Sequence, residues 1–114
     1  MRRIITLIAL GAAVVGCSTV DPTPKLKAAT SAIDAAKAAG AANFAPDLLA
    51  QAEKYLSTAQ NLIKNGNPSA ALQQLSLASA AADDAKVKAT DLTNQAKIKD
   101  LDAKIADLKT KLGK

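Results

Sequence analysis

The chain contains no histidine and no tryptophan, and only one cysteine, one tyrosine and one phenylalanine among its 114 residues. Without histidine it lacks the usual general base, the usual activator of a serine nucleophile and the commonest metal ligand. The single cysteine, Cys17, has no second thiol to pair with. Asp83-Asp84 is the only adjacent acidic pair. Neighbouring positions on a helix diverge by about 100°, so this pair reads as solvated charge and not as a metal site. No convincing strand exists to carry a glycine-rich phosphate loop. An enzyme is not expected: no catalytic residue, no metal ligand and no cofactor is assigned. Arginine is confined to Arg2 and Arg3, and Phe44 and Tyr55 are the only aromatics. Nucleic-acid binders cluster positive charge on one face and stack bases on aromatics, so nucleic acid is not an expected partner.

What is present begins at the first residues. Arg2 and Arg3 precede an apolar run from Ile4 to Val15, followed by Val14-Val15-Gly16-Cys17. A short basic start, an apolar run of about a dozen residues and a small residue at a cut site compose a secretory signal. A spanning helix needs about 20 apolar residues, and here polar Ser18, Thr19 and Asp21 follow at once. The run Val14, Val15, Gly16, Cys17 resembles the lipobox of bacterial lipoproteins. That resemblance implies removal of residues 1–16, a diacylglycerol on the Cys17 thiol and acylation of the new amine, with the lipid bilayer as partner through these acyl chains. An aspartate after the cysteine would resemble an inner-membrane retention signal. Ser18 does not, which implies the periplasmic face of an outer membrane.

Cleavage would leave 98 residues, enough for one small domain. Thirteen lysines then face ten acidic residues, a mildly basic balance of about +3. Alanine fills 24 of those positions. It is the best helix former but buries little area, so it favours close helix–helix contact over a thick core. A monomeric core of this kind is thin.

The expected fold class is all-α, with two shorter helices and one long one. Residues 17–23 are a lipidated cysteine and tether, reaching at most about 25 Å. Thr23 and Pro24 start the first helix, with the threonine hydroxyl as cap and proline in the first turn. Leu26, Ala29, Ile33 and Ala36 follow at spacings of three and four, and Gly40 closes it. Pro46 and Asp47 start the second helix, whose seam is Leu49, Ala52, Leu56, Ala59 and Ile63. Gly66 stops it, and Asn67-Pro68 caps and starts the third. The tight reversal predicts an antiparallel hairpin of helices two and three, with Ala71, Leu75, Ala78, Ala82, Ala85, Ala89 and Leu92 as the matching seam.

No strong breaker lies between Ser69 and Lys111, so the third helix should outrun the second and extend into a coiled-coil-like tail. The alanine-rich helical domain is expected over residues 24–90 and the tail over 91–114. Residues 98–104 (IKDLDAK) and 105–111 (IADLKTK) form a heptad. Ile98, Ile105 and Leu112 occupy one core position, Leu101 and Leu108 the other. Isoleucine at the first and leucine at the second favours parallel two-stranded coiled coils, so a homo-oligomer through this helix is expected. Asp100–Lys104 and Asp107–Lys111 are well-oriented pairs along one helix. Continued backwards, the register puts Asn94 and Asp91 in the seam, so the strict zipper covers only about two heptads.

Residues 31–86, through AAKAAGAANFAPDLL (35–49) and NGNPSAALQQ (65–74), resemble a bacterial envelope family. It is the short alanine-rich helical domain of unknown function found in small lipoproteins and ahead of OmpA-like peptidoglycan-binding domains. No such domain is expected within these 114 residues. The two ends, a lipidated cysteine and an Ile/Leu heptad helix finishing in Lys114, are similar to murein lipoproteins, whose last lysine is joined to peptidoglycan. This chain adds a hairpin and lacks the tyrosine-arginine found before that lysine. Together these resemblances imply a non-catalytic envelope lipoprotein acting as a structural or interaction module. The alternatives they imply are a tether to peptidoglycan through Lys114, or an accessory subunit of an envelope protein complex.

Overall fold

The computed structural model describes residues 19–113. Cys17, the Val14-Val15-Gly16 run before it, and Lys114 lie outside the described residues. Among those described, four helices and no strand occur: α1 (Thr23–Ala38), α2 (Ala41–Phe44), α3 (Pro46–Lys64) and α4 (Pro68–Leu112). The all-α architecture of two shorter helices and one long one is present, with one added turn of helix, α2.

Local chemistry sets most helix ends. Proline opens α3 and α4 at positions where a missing N–H costs nothing. The Asn67 side chain accepts from the Ala70 N–H at 3.4 Å. At the end of α3 the Asn67 N–H reaches the Leu62 carbonyl at 2.8 Å and the Gly66 N–H reaches Ile63 at 3.1 Å. With Gly66 at φ 78, this is the paired-bond stop that glycine permits. Gly40, at φ 90, ends α1 and also opens α2, whose Asn43 and Phe44 N–H groups bond to its carbonyl. The start of α1 corrects the expected cap. Thr23 lies inside the helix and its hydroxyl caps nothing. The Asp21 carboxylate accepts the Thr23 N–H at 2.9 Å instead, because it stands two residues upstream where the donors point.

The core has two continuous parts. Ala29 and Ala59 meet Ala71, Leu75 and Ala78, while Ile33, Ala36, Leu49 and Ala52 meet Ala81, Ala82, Ala85 and Ala89. Positions rise together in α1 and α4 and oppose each other in α3 and α4. Helix α1 therefore runs parallel to α4, and α3 runs antiparallel to it. The expected α3–α4 hairpin is present, and α1 completes a three-helix bundle. Twelve of the 15 buried apolar residues described are alanine, so the helices meet almost backbone to backbone. Tyr55 and Leu56 are half-buried and pack against both parts of the core.

Burial ends well before α4 does. Leu92 and Thr93 are half-buried, and residues 94–113 are all exposed. Helix α4 runs unbroken past Asn94 to Leu112. At 1.5 Å per residue it spans about 67 Å, of which the last 28 Å or so projects beyond the bundle.

Candidate functional site

No polar or charged residue is buried among those described, and no group of three or more acidic, cysteine or histidine side chains is placed to hold a metal ion. Asp83 and Asp84 are both exposed. No helix among the described residues is long and apolar enough to cross a membrane. The polar contacts that exist are fasteners. The Lys37 ammonium donates to the Glu53 carboxylate at 2.8 Å, joining α1 to α3. That hydrogen bond, then the charge attraction behind it, raises the Lys37 pKa above its ordinary value. Lys25 donates to the Ser76 hydroxyl at 3.3 Å, joining the first turn of α1 to the first half of α4. The Asp21 carboxyl is held below the usual carboxylate range by its hydrogen bonds from Thr23.

The outstanding surface is the outer side of α4. Ile98, Leu101, Ile105, Leu108 and Leu112 are 57%, 55%, 48%, 56% and 83% exposed. They form one unbroken apolar stripe on the projecting segment. The Lys104 ammonium meets the Asp100 carboxylate at 2.8 Å and Lys111 meets Asp107 at 3.0 Å, the spacing expected of pairs four apart. These bonds lie beside the stripe and hold two lysines along its edge.

The stripe does not prolong the bundle seam. At about 100° per residue, the Ile98–Leu101 pair is turned roughly 180° from the Ala89–Leu92 pair. The remaining exposed large apolar residues of α4 are Leu77 and Val87. Leu77 lies three heptads before Ile98, and Val87 two heptads before Leu101, so both belong to the same outer register. A shallow groove of about 330 Å³ runs beside Val87, between Asp83, Lys86, Thr90 and Asp91. Another, of about 440 Å³, lies where Phe44 of α2 meets α4 near Leu92 and Ile98. The heptad spacing disclosed Ile98 to Leu112. Leu77 and Val87 gave no such signal, since solitary apolar residues on an alanine-rich helix become telling only once they are seen to be exposed.

The two ends of the bundle differ. Leu26 packs against the part of the core containing Ala71 and Leu75, so the chain reaches α1 at the end where α4 begins. The apolar stripe lies at the opposite end. No curated protein and no solved structure matches this chain. The family described as a domain of unknown function, DUF4398, matches residues 24–113, which takes in the bundle and the stripe together. The chain belongs to that family, as a short helical domain whose long last helix extends beyond its bundle.

Proposed function

We propose that this chain is a non-catalytic lipoprotein of the bacterial cell envelope. Anchored through Cys17 on the periplasmic face of an outer membrane, it presents its last helix as a structural or interaction module. The observation that carries this reading is the Arg2-Arg3, Ile4–Val15 and Val14-Val15-Gly16-Cys17 sequence, placed a few residues before a bundle with distinct ends. A lipid at Cys17 would sit at the end where α1 and α4 begin. The tether would hold that end within about 25 Å of the bilayer. The exposed Ile98–Leu112 stripe would then face away from the membrane, toward whatever lies across the periplasm. A marginal alanine core suits a spacer, which needs length and a surface but no preorganised cavity.

The test is fractionation with mass measurement. The mature protein should partition with membranes and carry acyl mass on an N-terminal Cys17. Cys17→Ala should release it with its helical signal unchanged. A Cys17→Ala protein retained on membranes as fully as the parent would sink the anchored reading.

A second reading, covalent attachment to peptidoglycan through Lys114, is favoured by one observation. In the sequence Lys114 stands two residues beyond the last residue of α4. Muramidase digestion of purified cell walls should then release protein bearing a muropeptide. Complete extraction of the protein by detergent alone would exclude that linkage.

A further inference from the structure

The outer register of α4 specifies what can cover it. Taken from Leu77 to Leu112, one alternating core position holds Leu77, Asp84, Asp91, Ile98, Ile105 and Leu112, and the other holds Ala80, Val87, Asn94, Leu101 and Leu108. Every exposed large apolar side chain of α4 falls on these two positions. The register is continuous, but only its last part is apolar at each step. We propose that a second copy of this chain covers the stripe, parallel and in register, as a two-stranded zipper that begins after Asn94 and runs to Leu112.

Three features select this occupant. The first is the core chemistry. Isoleucine at one position and leucine at the other packs best in parallel pairs. The second is charge along the edges. Lys97, Lys104 and Lys111 flank the stripe on one side, Asp102 and Lys109 on the other. In a parallel pair the first edge meets the second, so Lys97 faces the partner's Asp102, and the one repulsive meeting is Lys104 with the partner's Lys109. In an antiparallel pair each edge meets its own kind: the three-lysine rows of both chains confront each other, and the Asp102–Lys109 contacts on the other edge offset only part of that repulsion. Edge charges set orientation in coiled coils, and here they favour the parallel pair. The third is shape. The stripe is turned away from the seam that packs on α1 and α3, and only Phe44 of α2 comes near it, beside Ile98, so two copies can join along Leu101 to Leu112 with their bundles pointing outward.

The upstream limit follows from the same register. Continuing the pair past Asn94 would set Asp91 against the partner's Asp91 and Asp84 against the partner's Asp84. Like carboxylates forced together out of water repel strongly. The two chains therefore part before Asp91, and Leu77 and Val87 stay outside the zipper. About two heptads is short for a pair formed from dilute solution. The proposal rests on the anchored reading for the local concentration that two tethered copies supply.

Single cysteines placed in the full chain test it. In membranes from cells making the protein, Leu101→Cys and Leu108→Cys should each give a disulfide-linked dimer under a mild oxidant. Ala103→Cys, on the far side of the helix, should not. Adding Ile105→Asp to Leu108→Cys should lower the crosslinked fraction at least tenfold while leaving the helical signal of the bundle intact. A disulfide at only one of positions 101 and 108 would indicate an antiparallel crossing and overturn the proposal. So would a disulfide at neither, or one as abundant at 103. Membrane retention of the same variants is read separately. Protein that is retained but not crosslinked defeats the zipper alone, whereas protein that is never retained defeats the anchor.

Discussion

Leu75 is the one large side chain in the described core with essentially no exposure, surrounded by alanines from all three long helices. Most other fully buried positions are alanine, so the core has little apolar area to lose, although the half-buried Leu26, Tyr55, Leu56, Leu62 and Ile63 border the site. Leu75→Ala should therefore destabilise the chain by about 2–5 kcal/mol. That is a large part of the roughly 5–15 kcal/mol typical of whole domains. Urea unfolding followed by circular dichroism reads this directly, and a loss well under 1 kcal/mol would mean that the core collapses around the gap. Asp21 provides a second test at this scale. Its carboxyl is held below its ordinary pKa by the bonds from Thr23, so its contribution to the start of α1 is complete above the ordinary aspartate range. That contribution is lost as pH falls through the lowered folded-state value. The Thr23 amide resonance should titrate with an apparent pKa below that of a free aspartate, and Asp21→Ala should abolish the titration. Lys37 has the opposite sign. Its raised pKa makes the Glu53 link fully present below the ordinary lysine value and lost only as pH rises through the higher folded one.

At the scale of elements, the reversal between α3 and α4 turns on Gly66. A Cβ built there would meet nothing within 4 Å, so only the positive φ opposes a side chain. Gly66→Ala should cost about 1–2 kcal/mol, the penalty for an L-residue in the left-handed region. Gly66→Asn should cost less, because asparagine tolerates that conformation. At Gly40 a Cβ would sit 3.4 Å from the Phe44 ring, an ordinary contact, so the positive φ is again the only obstacle and Gly40→Ala should cost a similar amount. Thermal unfolding of the three variants gives the order, and a Gly66→Ala protein as stable as the parent would refute the argument from the left-handed backbone. These turns also show what a sequence discloses. Pro46-Asp47, Gly66 and Asn67-Pro68 were legible because each acts on its own backbone neighbours. The seam residues of α3 and α4 were legible from their spacing. Helix α2 was not, since four residues carry no period. The parallel placement of α1 and the Lys37–Glu53 link depend on which helices meet in space, and no local pattern encodes that. The Thr23 cap was misread because Thr-Pro and Asp-Pro offer similar start signals within three residues. For the candidate surface, the heptad made Ile98 to Leu112 legible. Its position opposite the bundle seam came from the helix running unbroken past Asn94.

The described residues divide into a bundle that holds all their burial and a helix segment that holds none. Residues 94–113 contribute no buried side chain, so the bundle's stability should not depend on them. A chain ending at Asn94 should unfold in urea with a midpoint and slope close to those of the intact monomer, because the slope follows the surface exposed on unfolding. Its helical signal should fall in proportion to the turns removed. The projecting segment is too short to be firmly helical alone, so it borrows its nucleus from the bundle and should fray from its tip. Amide hydrogen exchange separates the two parts. In the isolated monomer, protection should be greatest around Ala71–Ala89 and fall steadily from Thr93 to Gly113, since exposed segments open locally at little cost. Two copies held side by side should change only the second part. The amides from Ile98 to Leu112 should gain protection while those of Ala71–Ala89 stay as they were, because the proposed contact lies on the face of α4 that the bundle does not use. Protection rising equally along the whole of α4 would instead place the contact on the bundle, and would separate a general stabilisation from a zipper at the tip.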